Sequence, residues 1–205
     1  APVYEGKTEK VEFTDAYGKV CIHLLPFIKP AVVRHAFEGG EFEKEAEAVC
    51  DHQSAVKMAV SHMDIDTDVR NVLIAHQFVT GAMRCESEEV SVGGLDNVDA
   101  SVFDGFDYVA LGHIHKPQKC TRDTLRYAGS LMKYSFSEVN QKKTVAVVEM
   151  GEKGETQFHT VPLNAPHDMR LVEGLMDDVL AMPYSEDYVW VTLRDELPPP
   201  DARVT

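Results

Sequence analysis

The chain is poor in cysteine and in positive charge, and it has no long apolar run. Its 205 residues hold four cysteines, Cys21, Cys50, Cys85 and Cys120, scattered without any C-x-x-C spacing. That spacing excludes a zinc ribbon, and reduced thiols in a cytoplasmic protein are the expected state. No segment approaches the roughly 20 apolar residues that a membrane-spanning helix requires, so no membrane association is expected. Ala1-Pro2-Val3-Tyr4-Glu5 has neither the basic start nor the apolar stretch of a signal peptide, and it lacks an initiator Met. There is no Gly-x-Ser-x-Gly, no phosphate loop and no Rossmann fingerprint. Cations are outnumbered, 20 Lys and Arg against 34 Asp and Glu, for a net charge of −14. This balance argues against a simple electrostatic nucleic-acid binder, because phosphate contacts need cations.

Hydrophobic residues make up 44% of the chain, enough for a real core and for one medium domain with a small appendage. Lys10–Thr14 and Lys19–Leu25 read as two strands joined through Asp15-Ala16-Tyr17-Gly18. Pro30 opens a short helix through Phe37, closed by Gly39-Gly40. Glu41–Met63 reads as one helix, with Phe42, Ala46, Val49, Val56, Ala59, Val60 and Met63 at three- and four-residue spacing. Asn71–His76 is a strand, and 80–104 a long polar loop. Further strands follow at 107–111, 125–129, 144–150 and 157–163. Asn164-Ala165-Pro166 marks a boundary, and beyond it 169–173, 175–182 and 188–194 form a β-α-β pattern that looks cut short. The fold class is α/β (α+β).

Gly112-His113-Ile114-His115 is the stretch that carries chemistry. Asp107–Leu111 before it is a short apolar strand, and ligands of open α/β sheets bind beyond such strand ends. In extended backbone, side chains i and i+2 point the same way, so His113 and His115 can face one site. Neutral imidazole is the commonest metal ligand. His76 ends another apolar strand and completes three imidazoles, enough for one open metal site. The competing reading is a set of strand-end histidines that bind nothing. From His113 to Lys133 lie five cations, Lys116, Lys119, Arg122, Arg126 and Lys133, against Asp123 alone. These suit an anionic substrate, with Lys116, Lys119, Arg122 and Arg126 as phosphate candidates; a solvated cluster is the plainer alternative. Asp64-Ile65-Asp66-Thr67-Asp68 begins like a calcium loop, but Val69 stands where glycine is needed and Ala75 where glutamate is needed. It is read as a turn. The other histidines, His23, His35, His52, His62, His159 and His167, have no partner pattern.

These residues resemble the SbcD-type nuclease branch of the calcineurin-like metallophosphoesterases. The likeness runs through Asn71-Val-Leu-Ile-Ala-His76, Val92-Gly-Gly94 and Phe106-Asp-Tyr-Val-Ala-Leu-Gly-His-Ile-His-Lys-Pro-Gln118. It continues in Arg126-Tyr-Ala-Gly-Ser130 and Lys133-Tyr-Ser-Phe-Ser-Glu138, and extends from about residue 10 to residue 195. Gly-His-x-His alone points only to the superfamily, whereas Tyr-Ser-Phe-Ser-Glu narrows it to the nuclease branch.

The resemblance implies part of a four-layer αββα sandwich over residues 1–163 and the start of a capping domain over 164–205. It implies a hydrolase of DNA phosphodiesters in repair and recombination, with two divalent metals, usually manganese. His76 and His113 would hold one metal and His115 the other. DNA and an SbcC-type ATPase subunit would be the partners, with a homodimer as a further arrangement. The family's Asp-x-His, Gly-Asp-x-x-Asp and Gly-Asn-His-Asp motifs are absent from this sequence and belong before Ala1, so the chain is expected to be a fragment that is inactive alone. Two rival readings stay open: a phosphomonoesterase or cyclic-nucleotide phosphodiesterase of the same superfamily, and a non-catalytic interaction module.

Overall fold

A computed structural model describes residues 3–83 and 97–197. Cys85, Val92-Gly-Gly94, most of the expected 80–104 loop and Pro198–Pro200 lie outside the described residues.

The first two strands, β1 (Glu9–Asp15) and β2 (Gly18–Leu25), form the expected hairpin, with Asp15 paired to Gly18 across a two-residue loop. Gly18 has φ 96°, a left-handed conformation that glycine adopts without steric penalty. Helix α1 (Pro30–Ala36) carries Pro30 in its first turn, where a missing N–H costs nothing. The single helix expected over 41–63 is two helices, α2 (Glu43–Glu47) and α3 (His52–Ser61). Asp51 forces the break. Its carboxylate accepts from the Ser54 amide at 2.7 Å while Ser54 Oγ accepts from the Asp51 amide at 3.1 Å, a capping box that starts a new helix. The apolar spacing runs straight across that break, which is why periodicity alone joins the two pieces.

Strands β3 (Arg70–His76), β4 (Phe78–Val79), β5 (Asn97–Val98), β6 (Tyr108–Gly112), β7 (Gln118–Cys120) and β8 (Arg122–Tyr127) follow. Part of the expected long loop is therefore ordered: β5 pairs in parallel with β4, and a 3-10 turn occupies Ala100–Phe103. Six strands make one mixed sheet in the order β1-β2-β3-β6-β8-β7. Its centre, β2-β3-β6-β8, is parallel, and both outer pairs are antiparallel. One face of this sheet, with Leu25, Leu73, Val109, Leu111 and Leu125, joins the helices in a continuous apolar core. Parallel pairing needs such cover, and burial of each of these side chains contributes about 1.5–3 kcal/mol. On the opposite face the cover is partial: Ile74, on a central strand, is 46% exposed.

Strands β9 (Thr144–Met150) and β10 (Thr156–Pro162) form a hairpin whose turn Arg70 grips. The buried guanidinium donates to Met150 O and Gly151 O at 3.3 and 3.2 Å, to Gly18 O at 2.8 Å, and to both oxygens of Asp15. Beyond residue 163 come β11 (Met169–Gly174), α4 (Met176–Leu180) and β12 (Tyr188–Leu193), the expected β-α-β unit with its strands parallel. Helix α4 buries none of its residues. A Lys133–Asp168 ion pair of 2.7 Å and the Phe136–Trp190 ring contact at 5.4 Å join this unit to the rest. Asp64–Val69 forms a turn between α3 and β3, as expected, closed by the Val69 amide donating to Asp66 O at 3.3 Å. Among the described residues no helix is long and apolar enough to cross a membrane.

Candidate functional site

Neighbouring parallel strands β3 and β6 end side by side, with His76 in register with Gly112. A β-carbon on Gly112 would stand 2.8 Å from His76 Nδ1, well inside contact distance. The glycine of the Gly-His-x-His motif is thus what leaves room for the imidazole on the next strand. The following residue, His113, has φ 102°, a conformation that costs a non-glycine residue about 1–3 kcal/mol and that clusters at functional sites. It swings the His113 ring beside His76, with centroids 5.3 Å apart and planes at 79°. Phe27, from the loop after β2, meets His76 edge-on at 6.3 Å and stacks on His113 at 6.4 Å. Phe78 meets His113 at 6.2 Å. Desolvation by these surroundings lowers the His76 pKa, so near neutral pH the ring holds the uncharged form that ligates metals.

Among the described residues His115 has a different set of neighbours. The extended backbone expected through 113–115 ends at Gly112, and the positive φ of His113 breaks the i, i+2 alternation. The His115 ring faces Tyr134 at 5.4 Å, and its Nδ1 is 3.0 Å from Glu138 Oε1. Glu138 is fully buried, and its other oxygen accepts from Lys143 Nζ at 2.6 Å.

The expected phosphate-binding cations are largely engaged elsewhere. Arg122 begins β8, at the end of the sheet opposite His113, and donates to Phe103 O at 2.7 Å and Phe106 O at 3.3 Å. The Arg126 guanidinium lies 3.7 Å over the Phe158 ring and 3.6 Å from Asp123. Lys119 pairs with Asp123 at 3.1 Å on the surface. Of the four, Lys116 is the one that directly follows His115 in the chain. Charge counting along the sequence gathered these residues, and the antiparallel return of β7 into β8 disperses them.

What sequence reasoning missed is the support. Phe27 left a weak signal, being two residues beyond the end of β2. Glu138 left a stronger one, since it closes the Tyr-Ser-Phe-Ser-Glu stretch on which the resemblance rested. Among the described residues no group of three or more His, Cys, Asp and Glu converges on one point where a metal could be held. The imidazoles fit divalent transition metals as partial ligand sets: a pair at His76 and His113, and a single ring at His115. Further ligands would have to complete each site.

No family model matches the sequence. Among curated proteins, the chain is 30% identical over 184 residues to the D subunit of nuclease SbcCD from Staphylococcus saprophyticus, covering 86% of this chain and 47% of that protein. It is 32% identical over 157 residues to the D subunit of nuclease SbcCD from Staphylococcus epidermidis, covering 76% of this chain and 41% of that protein. The chain thus spans less than half the length of the relatives it matches. Over three quarters or more of its own length, it is related to a portion of the D subunit of the SbcCD nucleases.

Proposed function

We propose that this chain is part of a metal-dependent DNA exonuclease subunit that hydrolyses phosphodiesters in DNA repair and recombination. The observation that carries the reading is the adjacency of His76 and His113 at the ends of two neighbouring parallel strands, with Gly112 opening the space between them. The similarity to SbcCD D subunits supports the nuclease class.

In this proposal His76 and His113 ligate one divalent metal and His115 the other, and manganese suits mixed nitrogen and oxygen ligation. Bound metals would supply an activated water and stabilise charge on the phosphate. Burial favours the neutral form of His76, and Phe27 and Phe78 pack against the first pair. Lys116, next to His115, is the cation proposed to meet substrate phosphate. Residues 1–163 belong to the phosphoesterase domain and 164–205 to a cap. DNA and an SbcC-type ATPase subunit are the partners, with a homodimer as the assembly and the cytoplasm as the location. Among the described residues the imidazoles form only partial ligand sets, which supports the reading that the chain by itself is inactive.

Cleavage of linear duplex DNA with manganese, measured on this chain and on the complete product of its gene, tests the reading. The complete product is expected to cut DNA much faster than p-nitrophenyl phosphate, and to lose cutting with EDTA or on His113→Ala. The chain alone is expected to cut neither. Equal or better turnover of the small phosphomonoester would favour a different phosphoesterase, and metal-dependent cutting by the chain alone would refute its inactivity.

A further inference from the structure

A fully buried carboxylate requires a reason. Glu138 sits at the end of a 3-10 turn (Phe136–Glu138), itself capped by Ser135, and no part of it reaches solvent. One oxygen is 2.6 Å from Lys143 Nζ and the other 3.0 Å from His115 Nδ1. Lys143, only 6% exposed, also has Ser130 Oγ at 2.8 Å, Gln141 Oε1 at 2.7 Å and the backbone carbonyl of His115 at 3.0 Å within hydrogen-bond distance of its three N–H donors. The same carbonyl accepts from the Ser130 amide at 3.0 Å. One network therefore holds both the ring and the backbone of a single histidine.

Buried ion pairs add little net stability, because desolvation offsets their attraction. This one is better explained by what it fixes. A carboxylate paired with an ammonium can only accept hydrogen bonds, so the proton shared with His115 belongs to the imidazole Nδ1. The other ring nitrogen, Nε2, is then the unprotonated one. Free histidine favours the opposite arrangement, with its proton on Nε2. Carboxylates that hold metal-ligating imidazoles in this way set both their tautomer and their basicity.

We propose that Glu138, charge-balanced by Lys143, is a positioning residue that locks His115 with its proton on Nδ1 and leaves Nε2 to ligate metal. The metal half of this statement rests on the function proposed above; the tautomer half does not.

Long-range proton–nitrogen correlation spectra of the ¹⁵N-histidine-labelled chain, without metal and at about pH 8, where ordinary imidazoles are neutral, test the tautomer directly. A His115→Gln variant assigns the signals. The wild-type chain is expected to show His115 protonated at Nδ1. Glu138→Gln leaves one acceptor oxygen where two donors point; with that oxygen taken by Lys143 Nζ, the amide NH2 faces His115 Nδ1, so this variant is expected to shift the ring towards Nε2–H. The double change Glu138→Leu with Lys143→Met, which leaves no unpaired buried charge, is expected to release it towards Nε2–H. Protonation of wild-type His115 at Nε2, or averaging between the two forms, overturns the proposal without recourse to any variant. A folded double variant that keeps Nδ1–H also overturns it. Manganese titration of the same samples separates the two halves. Selective broadening of His115, weakened about 10- to 100-fold in apparent affinity by the double change, supports the ligand role. A locked tautomer with no broadening at His76, His113 or His115 refutes the metallonuclease reading and with it the ligand half of the proposal.

Discussion

Two buried tyrosines offer the same substitution with opposite consequences. The Tyr127 hydroxyl donates to Gln77 O at 2.9 Å and accepts from the Val79 amide at 2.7 Å, tying the chain just past His76 to strand β8. Tyr127, Gln77 and Val79 are all at most 2% exposed, so water does not replace the lost partner. Tyr127→Phe removes two hydrogen bonds and leaves a buried amide with its bond unmade. At about 1 kcal/mol per bond plus about 1 kcal/mol for the orphaned group, the loss is about 3 kcal/mol. Tyr4 is also buried, but among the described residues its hydroxyl has no hydrogen-bond partner. Tyr4→Phe removes a desolvated polar group that gains nothing in the fold, so it is expected to be neutral or stabilising by up to about 1 kcal/mol. Urea unfolding reads both. With a slope of about 2 kcal/mol per molar, Tyr127→Phe lowers the midpoint by about 1.5 M at unchanged slope. A loss below about 1 kcal/mol at Tyr127, or a larger loss at Tyr4 than at Tyr127, would refute this reasoning. Alkaline pH adds a second reading. Burial pushes the Tyr4 phenol up to about 12. The unfolded phenol ionises near 10, so the folded state binds more protons between these values and stability falls as pH rises through that window. Tyr108, raised by burial as well, acts in the same direction. Tyr4→Phe is expected to flatten part of that decline.

Three further substitutions probe the histidine cluster and the helix break. Gly112→Ala places a methyl group 2.8 Å from His76 Nδ1; since the ring can swing away, the stability loss is expected to be about 1 kcal/mol, with a displaced His76 resonance as the specific readout. A wild-type-like His76 signal would contradict the packing. His113→Gly relieves the backbone strain at φ 102° that His113→Ala retains, so the glycine variant is expected to melt higher than the alanine variant by the equivalent of about 1 kcal/mol. Equal melting points would mean the strain is not stored there. Asp51→Ala deletes the cap of α3 and should cost about 1 kcal/mol in urea unfolding, whereas a neutral result would mean that helix packing alone fixes the break.

Much of the fold is legible in the sequence because its signals are local. The β1–β2 hairpin follows from alternation around Asp15–Gly18, β3 and β6 from apolar runs that stop at His76 and Gly112, and the last β-α-β unit from its spacing. Errors arise where two local signals compete. Apolar periodicity outweighed the Asp51–Ser54 cap, and the polar character of 80–104 as a whole concealed a short strand and a 3-10 turn near its end. Strand β7, three residues long with two polar side chains, has no periodicity to detect. For the site, the three imidazoles stand out in the sequence as residues but not as an arrangement. His76 and His113 are brought together by strand pairing, and a positive φ turns His113 away from the pattern that would have aligned it with His115. Glu138 reaches His115 from 23 residues away, a distance across which sequence pattern says nothing about contact.

The claim that these imidazoles ligate metal is tested most directly by following all histidine ring signals of the chain while manganese is added. We expect selective paramagnetic broadening of His76, His113 and His115, while exposed His35 and His159 and buried His23 stay sharp. Broadening no greater at the three than at His35 and His159, or none at all, would contradict the claim.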